Sequence, residues 1–268
     1  MSQGDWLRVQ TLGLFRVWLN GEPLPGVVWK REKAQRLFQF LITLRLHDSH
    51  RVMPKERIVA DLWPTLDEAR ADRDFKVALN ALNDALEPHR SSRSLSSFIT
   101  RYGLAYGLDP DADIRIDASE FHQGLKTAAR LESENLDAAI NAYRAAIDLY
   151  AGDYLPEALY EDWASLERER LQTLYLSGAM RLAALLLRRE GYQESIHLCQ
   201  SVLRIDPYWE EAYRLMMISH TLRGNRPLAL RVYEQCRQIL GDGLDLAPMD
   251  ETTRLYESIR QGETLPLP

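Results

Sequence analysis

Cysteine is nearly absent from this chain of 268 residues; Cys199 and Cys236 are the two it has. Two cysteines cannot build a disulfide framework, and no CxxC or Cys/His ligand spacing accompanies them. Long apolar runs are missing as well. No stretch approaches the roughly 18 residues of a membrane span, and the opening MSQGDWLRVQ lacks a signal peptide's apolar core. A cytoplasmic chain with no membrane partner is therefore expected. The signatures of catalysis are missing too: the sequence has no HExxH helix, no GxSxG elbow and no GxxxxGK[ST] phosphate loop. The GDGLD run at 241 is too short for a dinucleotide fingerprint and reads as the turn after a helix. Paired carboxylates such as Asp111 and Asp113 have no apolar wall beside them to raise a pKa. The chain is expected not to be an enzyme, and neither a cofactor nor a metal is expected.

One acidic stretch comes close to a calcium loop. Asp109, Asp111, Asp113, Asp117 and Glu120 stand at positions 1, 3, 5, 9 and 12 of that template. Position 6 needs a glycine for its sharp turn but holds Ile114, and Pro110 follows the first ligand, so the segment reads as a solvated acidic linker.

Excess positive charge is also absent overall, since the chain carries a net −6. The deficit is uneven along the sequence. Residues 1–110 hold 16 Lys plus Arg against 13 Asp plus Glu, whereas residues 111–268 hold 17 against 26. Only the first part suits a polyanionic partner.

Within that part the most informative stretch is Asp67 to Glu87, DEARADRDFKVALNALNDALE. Phe75, Leu79, Leu82 and Leu86 follow steps of four, three and four and make one buried helical stripe. The opposite face carries Arg70, Arg73, Val77, Asn80, Ala81 and Asp84, with Lys76 and Asn83 at its edge. Arg and Asn can bond guanine and adenine edges bidentately, so this is a candidate recognition helix. An ordinary amphipathic helix with a solvated face shows the same stripe, so its neighbours have to decide.

Those neighbours are in order. Leu7 to Leu24 alternates with a period of two around Gly13, and Asn20-Gly21 is a strong hairpin signal, giving a small antiparallel sheet. From Lys30 the period turns helical, with Ala34, Leu37, Phe38, Leu41 and Ile42 inward and Arg31, Gln35 and Arg36 outward. A second helix starts at Pro54, buries Ile58, Val59, Leu62 and Trp63, and stops at Pro64. After the third helix, FITRYGLAYGL (98–108) reads as a hairpin about Gly103. Sheet, three helices and hairpin are the order of a winged helix, in which the third helix enters the major groove. Arg101 and Tyr102, near the hairpin tip, are placed to touch a phosphate or the minor groove. The candidate DNA-binding set is thus Arg70, Arg73, Lys76, Val77, Asn80, Asn83, Arg101 and Tyr102.

From Glu120 onward every strong segment is helical, with a repeat. Ser195, Cys199 and Val202 recur 34 residues later as Ala229, Tyr233 and Cys236, the tetratricopeptide period. Ala139, Tyr143 and Ala146 show the spacing once more, 56 residues before Ser195, one period plus an insertion of 22 around LYAGDYLPEALYEDWASLERER. Trp163, Tyr154 and Tyr160 lie in that insertion and are expected either to cap the array, to anchor an interface or to cover its own small core. We expect an α+β winged helix with an N-terminal antiparallel sheet over 1–112, then an all-α tetratricopeptide-like repeat domain over 113–268.

Taken together, AAINAYRAAIDLYAGDYLPE, DWASLERERL, ESIHLCQSVLRIDPYWEEAYRLMM and PLALRVYEQCRQIL, with FKVALNALNDALEP before them, resemble a known family. It comprises regulators with an OmpR-type winged helix followed by a bacterial transcriptional activator domain, as in the Streptomyces antibiotic regulatory proteins. The same pair also forms part of much longer signal-transducing ATPase regulators, of which this chain could be a C-terminal piece. The resemblance implies binding of double-stranded DNA near promoters, with the helical domain serving oligomerisation or contact with RNA polymerase or another protein. The family's third helix commonly ends like LSRLRRALEP; here it reads LNALNDALEP, with Ala81, Asn83 and Asp84 where Arg is frequent. A carboxylate at 84 would repel phosphate. The alternative is therefore a protein interaction or oligomerisation module of a larger signal-transduction protein, its winged helix no longer binding DNA.

Overall fold

The computed structural model describes residues 5–25, 29, 32–48, 50–91 and 94–265. It divides into two compact units, one of Met1–His122 with Leu149–Gln172, the other of Gln123–Asp148 with Thr173–Pro268.

The first unit begins with the expected hairpin. β1 (Leu7–Gln10) pairs antiparallel with β2 (Arg16–Leu19), and β3 (Glu22–Pro23) adds to β2 after a turn in which Asn20 and Gly21 both have positive φ. Leu7, Val9 and Val17 are buried, as a period of two requires. Three helices follow: α1 (Glu32–His47), α2 (Lys55–Leu62) and α3 (Glu68–Leu86), with the short β4 (Met53–Pro54) between the first two. Lys30 and Arg31 lie outside the described residues. β5 (Ile99–Tyr102) and β6 (Ala105–Leu108) form the wing, completed by β4 in the order β4-β6-β5. Gly107 is obligatory there, because a β-carbon on it would lie 2.6 Å from the Arg51 carbonyl oxygen.

Two sequence expectations need correction here. The acidic stretch from Asp109 is not a loose linker: after one turn it becomes β7 (Ile114–Ile116), which pairs parallel with β1 at the edge of the first sheet. The Arg45 guanidinium donates to the carbonyls of Asp109, at 2.5 Å, and Ala112. Asp117 then turns inward. Buried, it accepts from the Thr11 amide at 2.7 Å, the Thr11 hydroxyl at 2.6 Å and the Leu12 amide at 2.9 Å, while burial pushes its carboxyl pKa up.

The second correction concerns the insertion. Residues 149–172 belong to the first unit, so the compact units do not divide at 112/113. Tyr154 bridges to Leu12, the Leu155 amide donates to Thr11, and the Phe15 amide donates to Glu157. Trp163 meets Phe40 edge-on at 5.5 Å, and Arg36 pairs with Glu161 at 2.5 Å. This cover explains why α1 buries Gln39, Phe40, Thr43 and Leu44 besides the five apolar residues its period marks. Of the three aromatics in the insertion, Tyr154 is fully buried, Trp163 packs on Phe40, and Tyr160 stays 94% exposed.

The second unit is a helical array. α4 (Asp117–Leu131) and α6 (Asp162–Leu187) cross the unit boundaries, and α5 (Leu136–Asp148), α7 (Tyr192–Ile205), α8 (Glu210–Leu222), α9 (Arg226–Leu244) and α10 (Asp250–Gln261) complete it. The nine residues of the 34-residue register fall on α5, α7 and α9, and all are buried. Stacked helical hairpins share one core in this way. Tyr213 on α8 donates its hydroxyl to the Pro207 carbonyl at 2.9 Å, fixing the turn after α7. Among the described residues no helix is long and apolar enough to cross a membrane.

Candidate nucleic-acid interface

α3 starts cleanly. Asp67 caps it, its carboxylate accepting from the Arg70 amide at 3.0 Å and pairing with the Arg70 side chain at 3.2 Å. The buried stripe runs Ala71, Phe75, Ala78, Leu82, Ala85 and Leu86; Leu79, expected within it, is only half-buried. Small residues allow α3 to lie close against its neighbours, so the stripe is broader than the large apolar residues suggest. Phe75 anchors it by an edge-on contact with Tyr106 of the wing at 5.0 Å.

Arg70, Arg73, Lys76, Asn80 and Asp84 are exposed along the outer face, and Val77 and Ala81 are half-buried beside them. Asn83 differs from expectation. Its Oδ1 is buried without a hydrogen-bond partner among the described residues, so that oxygen is withdrawn from the outer face. On the wing, Tyr102 and Leu104 project into solvent on either side of Gly103, whose φ is +62°. The Arg101 guanidinium folds back instead: its Nε donates to the Gly103 carbonyl at 2.7 Å and it lies over the Tyr106 ring. Structure thus brings α3 and the wing tip into one unit, with Arg101 shaping the tip and Tyr102 presented by it.

Charge on this face is arranged by carboxylates. Asp72 accepts from Lys55 at 2.6 Å through one oxygen and pairs with Lys76 at 2.7 Å through the other. These two ammonium groups hold its pKa down at about 2, and Asp72 in turn raises that of Lys55. Lys33 pairs with Asp74. Arg73 has no ion-pair partner among the described residues. The Lys76–Asp72 pair was legible as an i, i+4 pair, but Lys55, on another helix, gave no such signal. The Lys55–Asp72–Lys76 cluster edges a groove of about 670 Å³ between α2 and α3, floored by Val59, Trp63, Leu66 and Ala71.

The spatial grouping also changes the charge picture. The unit that presents α3 holds 19 Lys plus Arg against 23 Asp plus Glu, a balance of −4, because residues 111–122 and 149–172 bring their carboxylates back to it. Among the described residues, no group of His, Cys, Asp or Glu could hold a metal ion.

Residues 116–260, more than half of the chain, match the family model for the bacterial transcriptional activator domain. The chain belongs to that family. Its fold is also that of Mycobacterium tuberculosis EmbR, solved in complex with a low-affinity phosphopeptide: the match has a TM-score of 0.83 and covers 98% of this chain and 67% of that one. At 16% sequence identity this likeness concerns the fold alone. A curated relative, the protein nucleotidyltransferase YdiU of Cupriavidus metallidurans, is 25% identical over 174 residues, 59% of this chain. The chain spans 30% of that relative's length. As a member of the activator-domain family, the chain combines a winged helix with a tetratricopeptide-like array.

Proposed function

We infer that this protein is a transcription regulator that binds duplex DNA in the cytoplasm, with α3 in the major groove and the wing tip against the backbone, and that the helical unit meets a protein partner or a second copy. The observation that carries the reading is the outer face of α3, where Arg70, Arg73, Lys76 and Asn80 stand exposed in successive turns above a buried stripe. Arg73 and Asn80 supply base-reading groups; Lys76 and its neighbour Lys55 supply phosphate contacts. Binding-site selection from random duplexes, followed by retention measured against salt, tests it: phosphate contacts give a linear fall of log affinity with log salt.

A second reading has its own support. Asp84 is exposed on the same face, and the surrounding unit carries the balance of −4. Under this reading the winged helix is a protein-interaction module, and no duplex is retained at low salt.

A further inference from the structure

The helical unit exposes an apolar patch where two of its turns meet. Ile205 closes α7 and Tyr208 follows in the turn to α8; Leu244 closes α9, and Leu246 and Met249 follow in the turn to α10. All five are more than a third exposed, Met249 the most at 62%. Two contacts hold the turns side by side. The Tyr208 ring lies over Gly243, where a β-carbon would sit 2.8 Å from its ring edge. The Glu210 carboxylate, at the start of α8, accepts from the Met249 amide at 2.9 Å and from the Thr252 hydroxyl at 2.7 Å. The patch therefore has a fixed backbone, although its side chains face solvent.

The turns that bear it carry one sign, although Arg204 precedes Ile205 and the Arg214 and Arg254 side chains reach the first turn of α10. Residues 205–211 and 241–251 contain no Lys or Arg, while Asp206 and Glu211 on one turn and Asp242, Asp245, Asp250 and Glu251 on the other are carboxylates. Of these, Glu251 is paired, with Arg214 at 3.3 Å. Exposed apolar patches rimmed by polar groups mark interaction sites, and the rim decides what fits. A nucleic acid or an anionic membrane is repelled. A second copy docked through the same patch about a two-fold axis would set each acidic rim against its mate. What remains is a partner with apolar side chains on one face and positive charge around them.

We propose that this patch docks a cationic amphipathic helix of a protein partner. The proposal rests on the reading that the helical unit serves protein contacts, and it names the chemistry of that contact. Leu246 and Met249 receive the apolar face, and Asp242, Asp245 and Asp250 receive the lysines or arginines flanking it.

The test uses the full chain and a fluorescent helical peptide of leucine and lysine in amphipathic order, with a scrambled peptide of the same composition as control. Saturable binding is expected, with amide protection at 205–208 and 244–249, and with no comparable binding of the scrambled peptide. Leu246→Ser with Met249→Ser should weaken it by at least ~10-fold, as loss of interface anchors does. Asp242→Asn with Asp245→Asn and Asp250→Asn should remove most of its salt dependence; Asn accepts the left-handed backbone at 245, where φ is 55°. Equal binding by the serine variant, protection elsewhere, or equal binding of the scrambled peptide overturns the proposal. So does a wild-type dimer that the serine variant converts to monomer, because the patch is then a self-interface. Duplex retention by the same variants separates the two readings: retained DNA with no peptide binding sinks only the docking site, and peptide binding without DNA retention supports it while sinking DNA reading.

Discussion

The Tyr154 hydroxyl and the Thr43 hydroxyl lie 2.8 Å apart, 111 residues distant in sequence and both buried. Thr43 gives its own proton to the Gln39 carbonyl at 3.0 Å, so Tyr154 is the donor. The bond fixes the insertion 149–172 onto α1 of the winged helix. Tyr154→Phe should cost about 1 kcal/mol, the net worth of one hydrogen bond, and Tyr154→Ala about 3 to 5 kcal/mol, because a fully buried aromatic ring is lost. Urea unfolding of the full chain measures both. By the same reasoning a fragment of residues 1–112 should fail to fold, since Phe40 and Thr43 lose their cover; a well-dispersed proton spectrum from it would contradict this.

The DNA-reading proposal predicts unlike effects for two neighbouring cations. Arg73→Ala should lower affinity for the preferred site by about 1 to 3 kcal/mol and relax preference at one base pair. Lys76→Ala should weaken binding to every sequence and reduce the salt slope by about one unit. Equal, sequence-independent losses for both would show that Arg73 touches only the backbone.

Asp84 gives a test of opposite sign. Asp84→Arg removes a repulsive charge from the exposed face and adds an attractive one, so duplex affinity should rise with little gain in discrimination. The gain should shrink as salt is raised, because exposed charges are screened within about 10 Å at ordinary ionic strength. Absence of retention in both the wild type and this variant at low salt would leave the interaction-module reading.

Acid should loosen the helical unit in a defined window. Glu132 on the α4–α5 turn pairs with Arg181 and accepts from Tyr143 at 2.6 Å, and Arg144 pairs with Glu194 at 2.8 Å; both carboxyl pKa values lie below the usual 4.5. Their folded pKa is depressed, so their stabilisation is present above pH 4.5 and disappears as pH falls through the lower folded values. Thermal midpoints between pH 6 and 3 should therefore fall less steeply in Glu132→Gln than in the wild type.

Gly107→Ala places a β-carbon against the Arg51 carbonyl, backbone that cannot swing aside. Overpacking of this kind costs about 1 to 3 kcal/mol. Hydrogen exchange should show faster opening of β4 and β6, with the helical array unaffected.

Periodicity determined a good deal of this protein. The hairpin around Asn20-Gly21, the start and exposed face of α3, and the 34-residue register whose nine positions are all buried follow from spacings of two, 3.6 and 34 that any one segment carries within itself. Local pattern could not say which distant segments share a face. β7 joins β1 through Asp113 and Leu7, Asp117 turns inward to Thr11, and the insertion wraps α1 through Tyr154 and Trp163; each pairing spans a hundred residues or more and leaves no local period. The same limit applies at the candidate interface. Arg70, Arg73, Lys76 and Asn80 were readable because one helix sets their angles, whereas the Lys55–Asp72 contact, the buried Asn83 oxygen and the folded-back Arg101 were set by how separate elements meet. Backbone periodicity is a property of the chain, but burial and partner choice belong to the packed whole.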